Sequence, residues 1–313
     1  MSTEEGVRAT NDDASQCKRF AVDRGYWVDP YISMFTPKGK QTHAPEISIG
    51  YFARVKGLRL LLEKFIALTG GKCQIVSLGA GFDSLYWNLK DSDLVPASYI
   101  EVDFSAVTSK KIHYIRRSPA LLQKITSDDD DIKFSSTDLH SKDYHIVSAN
   151  LKNLSELDKK LHECELDKNL PTAFVAECVL VYIDKTNTDS LLKWIAETFN
   201  TVLFINYEQV NMNDKFGEIM MDNLRSRDCM LHIEYCANLE TQIKRCLDQG
   251  FDSADAMEMR HVLSSLPQAD VQRIERLEFL DERELLDQLM SHYCYCWAYK
   301  DKDKIGLEDI NFS

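Results

Sequence analysis

The sequence lacks the features that carry a protein into or across a membrane. In its 313 residues, no uninterrupted apolar run reaches the roughly 20 residues that span a bilayer. Residues 1–16 are polar and acidic, without the basic start and apolar core of a signal peptide. We therefore expect neither a membrane span nor a membrane partner, and we interpret residues 1–16 as a disordered tail.

Basic side chains are also scarce. Lys and Arg number 37 against 50 Asp and Glu, which gives a formal net charge of −13. Affinity for nucleic acids comes largely from basic side chains that displace counterions at phosphates. The charge balance therefore argues against a nucleic-acid partner.

The cysteines indicate neither a disulfide framework nor a zinc motif. There are nine, an odd number, and no two have Cys-x-x-Cys spacing. His292, Cys294 and Cys296 alternate along a predicted strand and would share one face, but core packing explains that pattern better than a metal does. The acidic run 128–131 is interpreted as a surface loop. We predict no metal site and a reducing, cytoplasmic compartment.

What is present is an alternation of short apolar runs and amphipathic segments. From Pro45 to Leu68, apolar residues recur at helical spacing until Gly70 and Gly71 stop them. The predicted strands are 73–78, 98–103, 145–149, 173–181, 202–207, 271–280 and 292–299. The predicted helices are 45–68, 82–89, 154–164 and 281–290, the last with Asp281 as its N-cap, and a further helical stretch runs on from the strand at 98–103 through residue 115.

This alternation predicts an α/β fold with a mostly parallel, doubly wound, Rossmann-like sheet. We expect one domain over residues 17–313, with residues 17–70 as an N-terminal helical cap and residues 208–262 as a helical insertion on the substrate side. Ligands of such sheets bind beyond the carboxyl ends of the strands. Functional residues should therefore follow directly after strands.

A tight turn of Gly79, Ala80 and Gly81 follows the first buried strand. Glycine at 79 permits the turn, and glycine at 81 lets a ligand approach the backbone closely. Asp103 ends the next strand, 22 residues beyond Gly81. An acid at an offset of roughly 20 residues meets ribose hydroxyls in nucleotide-binding folds of this kind. The pair implies a nucleoside cofactor.

Two nucleoside cofactors are compatible with this turn. A nicotinamide dinucleotide prefers a small residue three positions after the second glycine, and Ser84 is there. Asp83 would repel a pyrophosphate but tolerates the ammonium and sulfonium cations of S-adenosylmethionine. We favour S-adenosylmethionine, with a nicotinamide oxidoreductase and a non-catalytic binding module as the alternatives.

Several longer segments resemble the leucine carboxyl methyltransferase family. The resemblance runs from Cys17 nearly to the C-terminus. The segments that carry it are CKRFAV (17–22), GYW (25–27), DPY (29–31), GYFARV (50–55), LGAGFD (78–83), EVDF (101–104), AECVLVY (176–182), FINYEQV (204–210) and EFLDE (278–282).

The resemblance implies a class I S-adenosylmethionine methyltransferase that esterifies the C-terminal leucine carboxylate of the catalytic subunit of type 2A protein phosphatases and so regulates assembly of the phosphatase holoenzyme. A sister branch modifies a wybutosine precursor in transfer RNA and carries a kelch-type propeller. The acidic charge and the lack of repeats in this chain disfavour that branch.

The resemblance also implies the cofactor contacts. Lys18 and Arg54 would contact the methionine carboxylate. Gly79 would form the turn, and Asp103 would contact the ribose. Asn150 and Leu151 would occupy the pair of positions that contacts adenine, and Glu177 would be the acid after the fourth strand. The family more usually has Asp-Leu at the adenine pair. Asn150 keeps a carbonyl acceptor for adenine but loses the charge.

The implied reaction needs little from acid–base chemistry. A C-terminal carboxylate is already ionised near neutral pH, so its attack on a methyl group needs no general base. We predict no catalytic acid or base, and we expect the protein to position and desolvate the reactants. Tyr26, Trp27 and Tyr31 in the cap are candidates to wall the leucine pocket, with simple packing as the alternative.

Overall fold

The computed structural model describes residues 4–39, 41–126 and 131–312. Its strands are β1 (Gln74–Leu78), β2 (Ser98–Asp103), β3 (Lys133–Phe134), β4 (Leu139–His140), β5 (Tyr144–Ser148), β6 (Thr172–Glu177), β7 (Thr201–Gln209), β8 (Ser253–Glu258) and β9 (Tyr293–Asp301). They form one sheet in the order β3-β4-β5-β2-β1-β6-β7-β9-β8.

Helices cover both faces and one end of this sheet. They are α1 (Glu4–Asp23), α2 (Ile32–Phe35), α3 (Pro45–Thr69), α4 (Leu85–Asp91), α5 (Ser105–Arg117), α6 (Pro119–Ile125), α7 (Leu154–Glu163), α8 (Lys185–Thr198), α9 (Lys215–Arg225), α10 (Leu239–Leu247), α11 (Met259–Ser265), α12 (Gln268–Ile274) and α13 (Arg283–Ser291). Short 3-10 helices lie at Leu180–Tyr182 and Leu307–Asp309.

The five central strands are parallel. β1 pairs with β2 and β6, β2 pairs with β5, and β6 pairs with β7. The edge strands β3, β4, β8 and β9 pair antiparallel. The chain moves outward from β1 through β2 to β5 and then returns to β6, so the winding reverses beside β1. The predicted doubly wound α/β fold is confirmed, and the reversal opens a crevice at the carboxyl ends of the strands.

Alternate residues of the central strands contribute to two separate cores. On β1, Ile75 joins the cluster that contains Phe65 of α3, whereas Val76 joins the cluster that contains Leu157 of α7 and Leu192 of α8. Successive side chains of a strand point to opposite faces, so a sheet covered on both faces needs apolar residues at consecutive positions. This requirement is why the central strands are recognisable in the sequence.

The N-terminal segment differs from the prediction of a tail over residues 1–16. Residues 4–16 are the first part of α1, which packs on α3. The contacts of this part are largely polar: Asn11 Oδ1 accepts a hydrogen bond from the Phe82 N–H at 2.9 Å, and Asp13 pairs with Arg227 at 2.6 Å. Partners so distant in the chain leave no trace in local composition, and tertiary contacts override weak local preference.

The C-terminal half also differs from the prediction in places. The segment 271–280, predicted as a strand, instead contains the end of α12. Its apolar residues Val271, Ile274 and Leu277 are spaced by three, which is a helical period rather than a strand period. Glu282 rather than Asp281 is the N-cap of α13.

The predicted insertion over residues 208–262 is not separate from the sheet. Its first two residues end β7, and β8 within it pairs with β9 at the sheet edge.

Two further element boundaries differ from the prediction. The strand predicted over 173–181 ends at Glu177, and α4 begins at Leu85 rather than at residue 82. Of the acidic run 128–131, only Asp131 is among the described residues, and it is exposed. No helix in the described ranges is both long enough and apolar enough to cross a membrane.

Candidate active site

A cavity of about 950 Å³ opens at the carboxyl ends of the central strands. It brings together every residue predicted to contact the cofactor: Lys18, Arg54, Gly79, Asp103, Asn150, Leu151 and Glu177. Four of them meet there because each lies at or just beyond the end of a parallel strand, and parallel strands end at the same edge of the sheet. These four are Gly79, Asp103, Asn150 and Glu177. Lys18 and Arg54 come from α1 and α3, which close the side of the cavity.

The glycine turn has the conformation that only glycine adopts readily. Gly79 and Gly81 have φ of +61° and +55°, in the left-handed region that L side chains disfavour. A Cβ on Gly79 would lie 2.6 Å from a methyl of Val179, and a Cβ on Gly81 would collide with Asn11 Oδ1. The Gly79 N–H donates to the carbonyl of Val102 on β2 at 2.8 Å. The turn is therefore held tightly between strands and admits no side chain of its own.

Asp103 is fixed by the turn that it faces. Its two carboxylate oxygens accept hydrogen bonds from the Gly81 and Phe104 N–H groups, each at 2.7 Å. Burial raises the pKa of Asp103 above its ordinary value, and the two N–H donors offset part of that rise. A carboxylate oxygen accepts more than one hydrogen bond, so each oxygen keeps acceptor capacity for ligand hydroxyls.

Four charged side chains form an alternating network at one end of the cavity. Lys18 Nζ lies 2.6 Å from Asp83 Oδ2 and 3.9 Å from Glu177 Oε1, and Arg54 Nε lies 2.5 Å from Glu177 Oε2. The Arg54 guanidinium also stacks over the ring of Tyr207, 4.7 Å from its centroid. Burial alone would raise the pKa of Asp83, but the Lys18 ammonium holds it below its ordinary value. The site therefore pairs each of its two cations with a carboxylate in a largely buried setting.

Asn150 uses its side chain locally. Its Oδ1 accepts a hydrogen bond from the Lys152 N–H at 3.0 Å, which closes a turn just after β5, and the residue is exposed. Leu151 beside it is 8% exposed and belongs to the core cluster under the cavity floor. The pair therefore borders the cavity, and the amide oxygen of Asn150 already has one partner.

Part of the cavity wall is apolar and aromatic. It is formed by Tyr182, Phe216, Ile219, Met220, Leu224, Leu289 and Tyr293. Tyr293 stacks on Tyr207 with ring centroids 5.4 Å apart. Much of this wall comes from α9, which lies within the 208–262 segment.

Several cavity residues were missed by the sequence analysis. Tyr207 and Gln209 lie at the end of β7, where the rule that functional residues follow strands points to them. Cys178 adopts a left-handed φ of +55° directly after β6, and no sequence pattern signals this. Asn11 falls in the segment interpreted as a tail.

The three cap aromatics predicted to wall the leucine pocket do not line this cavity. Tyr26 is fully buried in the cap and its hydroxyl donates to Glu278 at 3.2 Å, whereas the Tyr31 hydroxyl donates to Asp91 at 2.7 Å. Trp27 borders a separate small cleft. Their contacts match the packing alternative, because each ring fills the junction between the cap and its neighbours.

His292, Cys294 and Cys296 do not converge as ligands. Cys294 and Cys296 are buried on β9, but His292 precedes the strand and contacts Asp214 Oδ2 at 3.0 Å. Core packing, the interpretation favoured from the sequence, agrees with these positions.

The chain matches a family model. The model described as leucine carboxyl methyltransferase covers residues 6–196. Leucine carboxyl methyltransferase 1 of Rattus norvegicus is 49% identical over 312 residues, which are 99% of this chain and 94% of the relative. The chain belongs to the leucine carboxyl methyltransferase family. It is therefore a methyltransferase, and the alternative of a nicotinamide oxidoreductase is wrong.

A more distant relative of the chain is a transfer RNA enzyme. The tRNA wybutosine-synthesizing protein 4 of Rattus norvegicus is 34% identical over 295 residues, which are 92% of this chain but 43% of that protein. The similarity to the carboxyl methyltransferase is therefore both higher and more complete.

Solved structures share the fold at low sequence identity. A putative methyltransferase from Thermobifida fusca YX superposes with a TM-score of 0.54 at 11% identity, over 93% of each chain. A geranyl diphosphate methyltransferase in complex with GPP and sinefungin gives 0.51 at 11% identity, over 95% of this chain and 98% of that one. The chain therefore has the class I S-adenosylmethionine methyltransferase fold.

Proposed function

We propose that the chain transfers a methyl group from S-adenosylmethionine to the C-terminal leucine α-carboxylate of the catalytic subunit of type 2A protein phosphatases, and that this ester regulates assembly of the phosphatase holoenzyme. The observation that carries the proposal is the cavity itself, which is lined both by the charged network of Lys18, Asp83, Arg54 and Glu177 and by an apolar, aromatic wall. All nine cysteines are free thiols, which supports a reducing compartment, and we place the reaction in the cytoplasm.

The polar residues of the cavity have the donors and acceptors that the cofactor requires. The glycine turn leaves room for a ligand against the backbone, and Asp103 offers its oxygens to the ribose hydroxyls. Lys18 and Arg54 would hold the carboxylate of the methionine moiety, while Glu177 would hold its ammonium. Asn150 and Leu151 would border the adenine. When bound, the cofactor supplies an electrophilic methyl group on a sulfonium.

The apolar wall of the cavity suits a leucine side chain and a reaction in which charge disappears. The attacking carboxylate is ionised without help, so the site has no need of a general base. Phe216, Met220 and Tyr293 would exclude water from the carboxylate, which raises its reactivity relative to the solvated anion. Because Lys18 and Arg54 are already paired with Asp83 and Glu177, these cations do not stabilise the free substrate carboxylate strongly, and the ground state is not overbound.

The direct test supplies the intact phosphatase catalytic subunit with S-adenosylmethionine carrying a labelled methyl group. We expect label in the phosphatase that is released by mild base, as a methyl ester is. A phosphatase lacking its last leucine is the control and should stay unlabelled. Label that resists base, or equal labelling of the truncated phosphatase, would contradict the proposed acceptor.

A second measurement tests the cofactor assignment independently of the acceptor. Calorimetric titration with S-adenosylhomocysteine should show binding that Arg54→Ala and Asp103→Ala weaken by about 10-fold or more, since each removes hydrogen bonds in which at least one partner is charged. Asp158→Asn, at an exposed ion pair on α7, is the matched control. If Arg54→Ala bound as tightly as the unaltered chain, this arginine would have no part in holding the cofactor.

A further inference from the structure

A second cluster of ligand-type side chains lies at the β4 edge of the sheet. His140 on β4 and His145 on β5 are directly opposite each other in the antiparallel register. Cys164, at the C-cap of α7, reaches the same point from the helix layer. In the described parts of the chain, these three are the one group of three or more His, Cys, Asp or Glu residues whose ligand atoms converge closely enough to hold a metal ion, all within 4.8 Å of one another.

The distances in this cluster suit a tetrahedral ion. His140 Nδ1 lies 3.2 Å from His145 Nδ1 and 3.9 Å from Cys164 Sγ. Ordinary Zn–N and Zn–S bond lengths place two tetrahedral nitrogens about 3.3 Å apart and a nitrogen and a sulfur about 3.6 Å apart. The three atoms therefore need only small adjustments to share one ion. Two imidazoles and one thiol also form a donor set that favours Zn²⁺ over Mg²⁺ or Ca²⁺.

The surroundings give the cluster a structural rather than a catalytic character. Cys164 is 2% exposed and His145 is 7% exposed, while His140 is half-buried. The cluster lies toward the start of β5, whereas the active-site cavity begins after that strand ends, at Ala149. An ion here would join the short β4 strand, the central sheet and the end of α7.

We propose that His140, His145 and Cys164 form a structural Zn²⁺ site, with the fourth position taken by water on the exposed side of His140. On binding, the thiol of Cys164 releases its proton to solvent and a Zn–S bond forms, while each imidazole binds through its Nδ1 lone pair. The sequence predicts no metal site, and residues 140, 145 and 164 match no common zinc spacing. The alternative for the same geometry is a hydrogen bond between the two imidazoles with the thiol beside it.

The test uses the full chain, stripped with a chelator and then titrated with Zn²⁺ or Co²⁺. We expect one equivalent of Zn²⁺ to bind, and the midpoint of thermal unfolding to rise as free Zn²⁺ increases. Co²⁺ should produce a thiolate-to-cobalt charge-transfer band. That spectrum needs no variant, so its absence from the unaltered chain would overturn the proposal even if every variant failed to fold.

Variants then assign the site. Cys164→Ser should remove the charge-transfer band, and His140→Gln should remove stoichiometric Zn²⁺ binding and the rise in the unfolding midpoint. Cys229→Ser, which alters another buried cysteine, and His113→Gln, which alters an exposed histidine, should retain all three signals. Equal binding by Cys164→Ser and the unaltered chain would overturn the assignment and leave a hydrogen-bonded histidine pair.

Discussion

The glycine at 79 is the residue on which the site depends most directly. Its left-handed φ and the proximity of Val179 act together. Gly70, which ends α3, has a similar φ of +58° but has no heavy atom within 4 Å of the site of a Cβ. The two positions therefore separate the cost of an unusual backbone conformation from the cost of a collision.

We predict that Gly79→Ala destabilises the fold more than Gly70→Ala does. Gly70→Ala should lower the free energy of unfolding by about 1 to 2 kcal/mol, the ordinary cost of a side chain in the left-handed region. Gly79→Ala adds the collision with Val179 and should also abolish measurable binding of S-adenosylhomocysteine. Urea unfolding and calorimetry measure the two effects. Equal losses of stability and unchanged binding would show that the turn tolerates a methyl group.

Asn150 raises a different question at the same scale, because its amide oxygen already accepts the Lys152 N–H. Aspartate keeps that acceptor and adds a charge, so Asn150→Asp should leave the turn intact. A charged acceptor forms the stronger hydrogen bond, and we expect S-adenosylhomocysteine to bind about 3- to 10-fold more tightly. Unchanged affinity in calorimetry would mean that the adenine amine does not contact this side chain.

At the scale of elements, α1 is the part of the structure that most changes the description of the site. Asn11 and Lys18 lie on the same helix and contact the glycine turn and Asp83, respectively. The helix thereby forms one wall of the cofactor end of the cavity. Its contacts there are polar and few, and such elements open more readily than core strands do.

We therefore predict that the cofactor end of the cavity and α1 are coupled. Hydrogen exchange of the α1 amides should slow when S-adenosylhomocysteine saturates the chain, because the ligand adds contacts to the polar ones that α1 makes at the glycine turn. The amides of α10, which packs against β8 and β9 away from the cavity, serve as the internal reference and should not change. Equal exchange of α1 with and without ligand would show that α1 is a fixed wall.

At the scale of the whole molecule, one buried ion pair joins several layers. Lys111 Nζ on α5 lies 2.5 Å from Glu101 Oε2 on β2 and donates to the Asp83 carbonyl at 2.7 Å. It also lies over the rings of Phe35 and Trp87. Burial raises the pKa of Glu101 from 4.5 to about 7, although Lys111 opposes that rise. The carboxyl group is therefore easier to bury protonated than ionised.

This shift predicts how stability depends on pH. The folded pKa of Glu101 lies above the unfolded one, so its contribution is fully present below pH 4.5 and is lost as the pH rises to about 7. Relative to the double variant Glu101→Gln/Lys111→Met, the unaltered chain should lose roughly 3 kcal/mol of unfolding free energy over that window. Urea unfolding at a series of pH values measures the difference.

The exposed pair Asp158 and Lys168 provides the control for the pH prediction. The variant Asp158→Asn/Lys168→Met should follow the same pH profile as the unaltered chain, since exposed pairs contribute little. If the profile of the Glu101→Gln/Lys111→Met variant also ran parallel to that of the unaltered chain, Glu101 would titrate in the folded protein as it does in the unfolded chain.

The central sheet and the polar residues of the site could be predicted from the sequence alone. Strand, turn and helix are contiguous around Gly79, and Asp103 follows the neighbouring strand, so local pattern and spacing suffice to place them. The family motifs added Lys18, Arg54 and Glu177, and the structure brings all of these into one cavity.

Which distant segments meet could not be predicted and became visible only in the folded chain. The fold placed α1 over the turn, moved Tyr26 and Tyr31 away from the cavity, and brought Cys164 to the histidines of β4 and β5. Each of these contacts joins residues far apart in the chain. Such contacts depend on how helices pack around the completed sheet, and local composition carries no record of that packing.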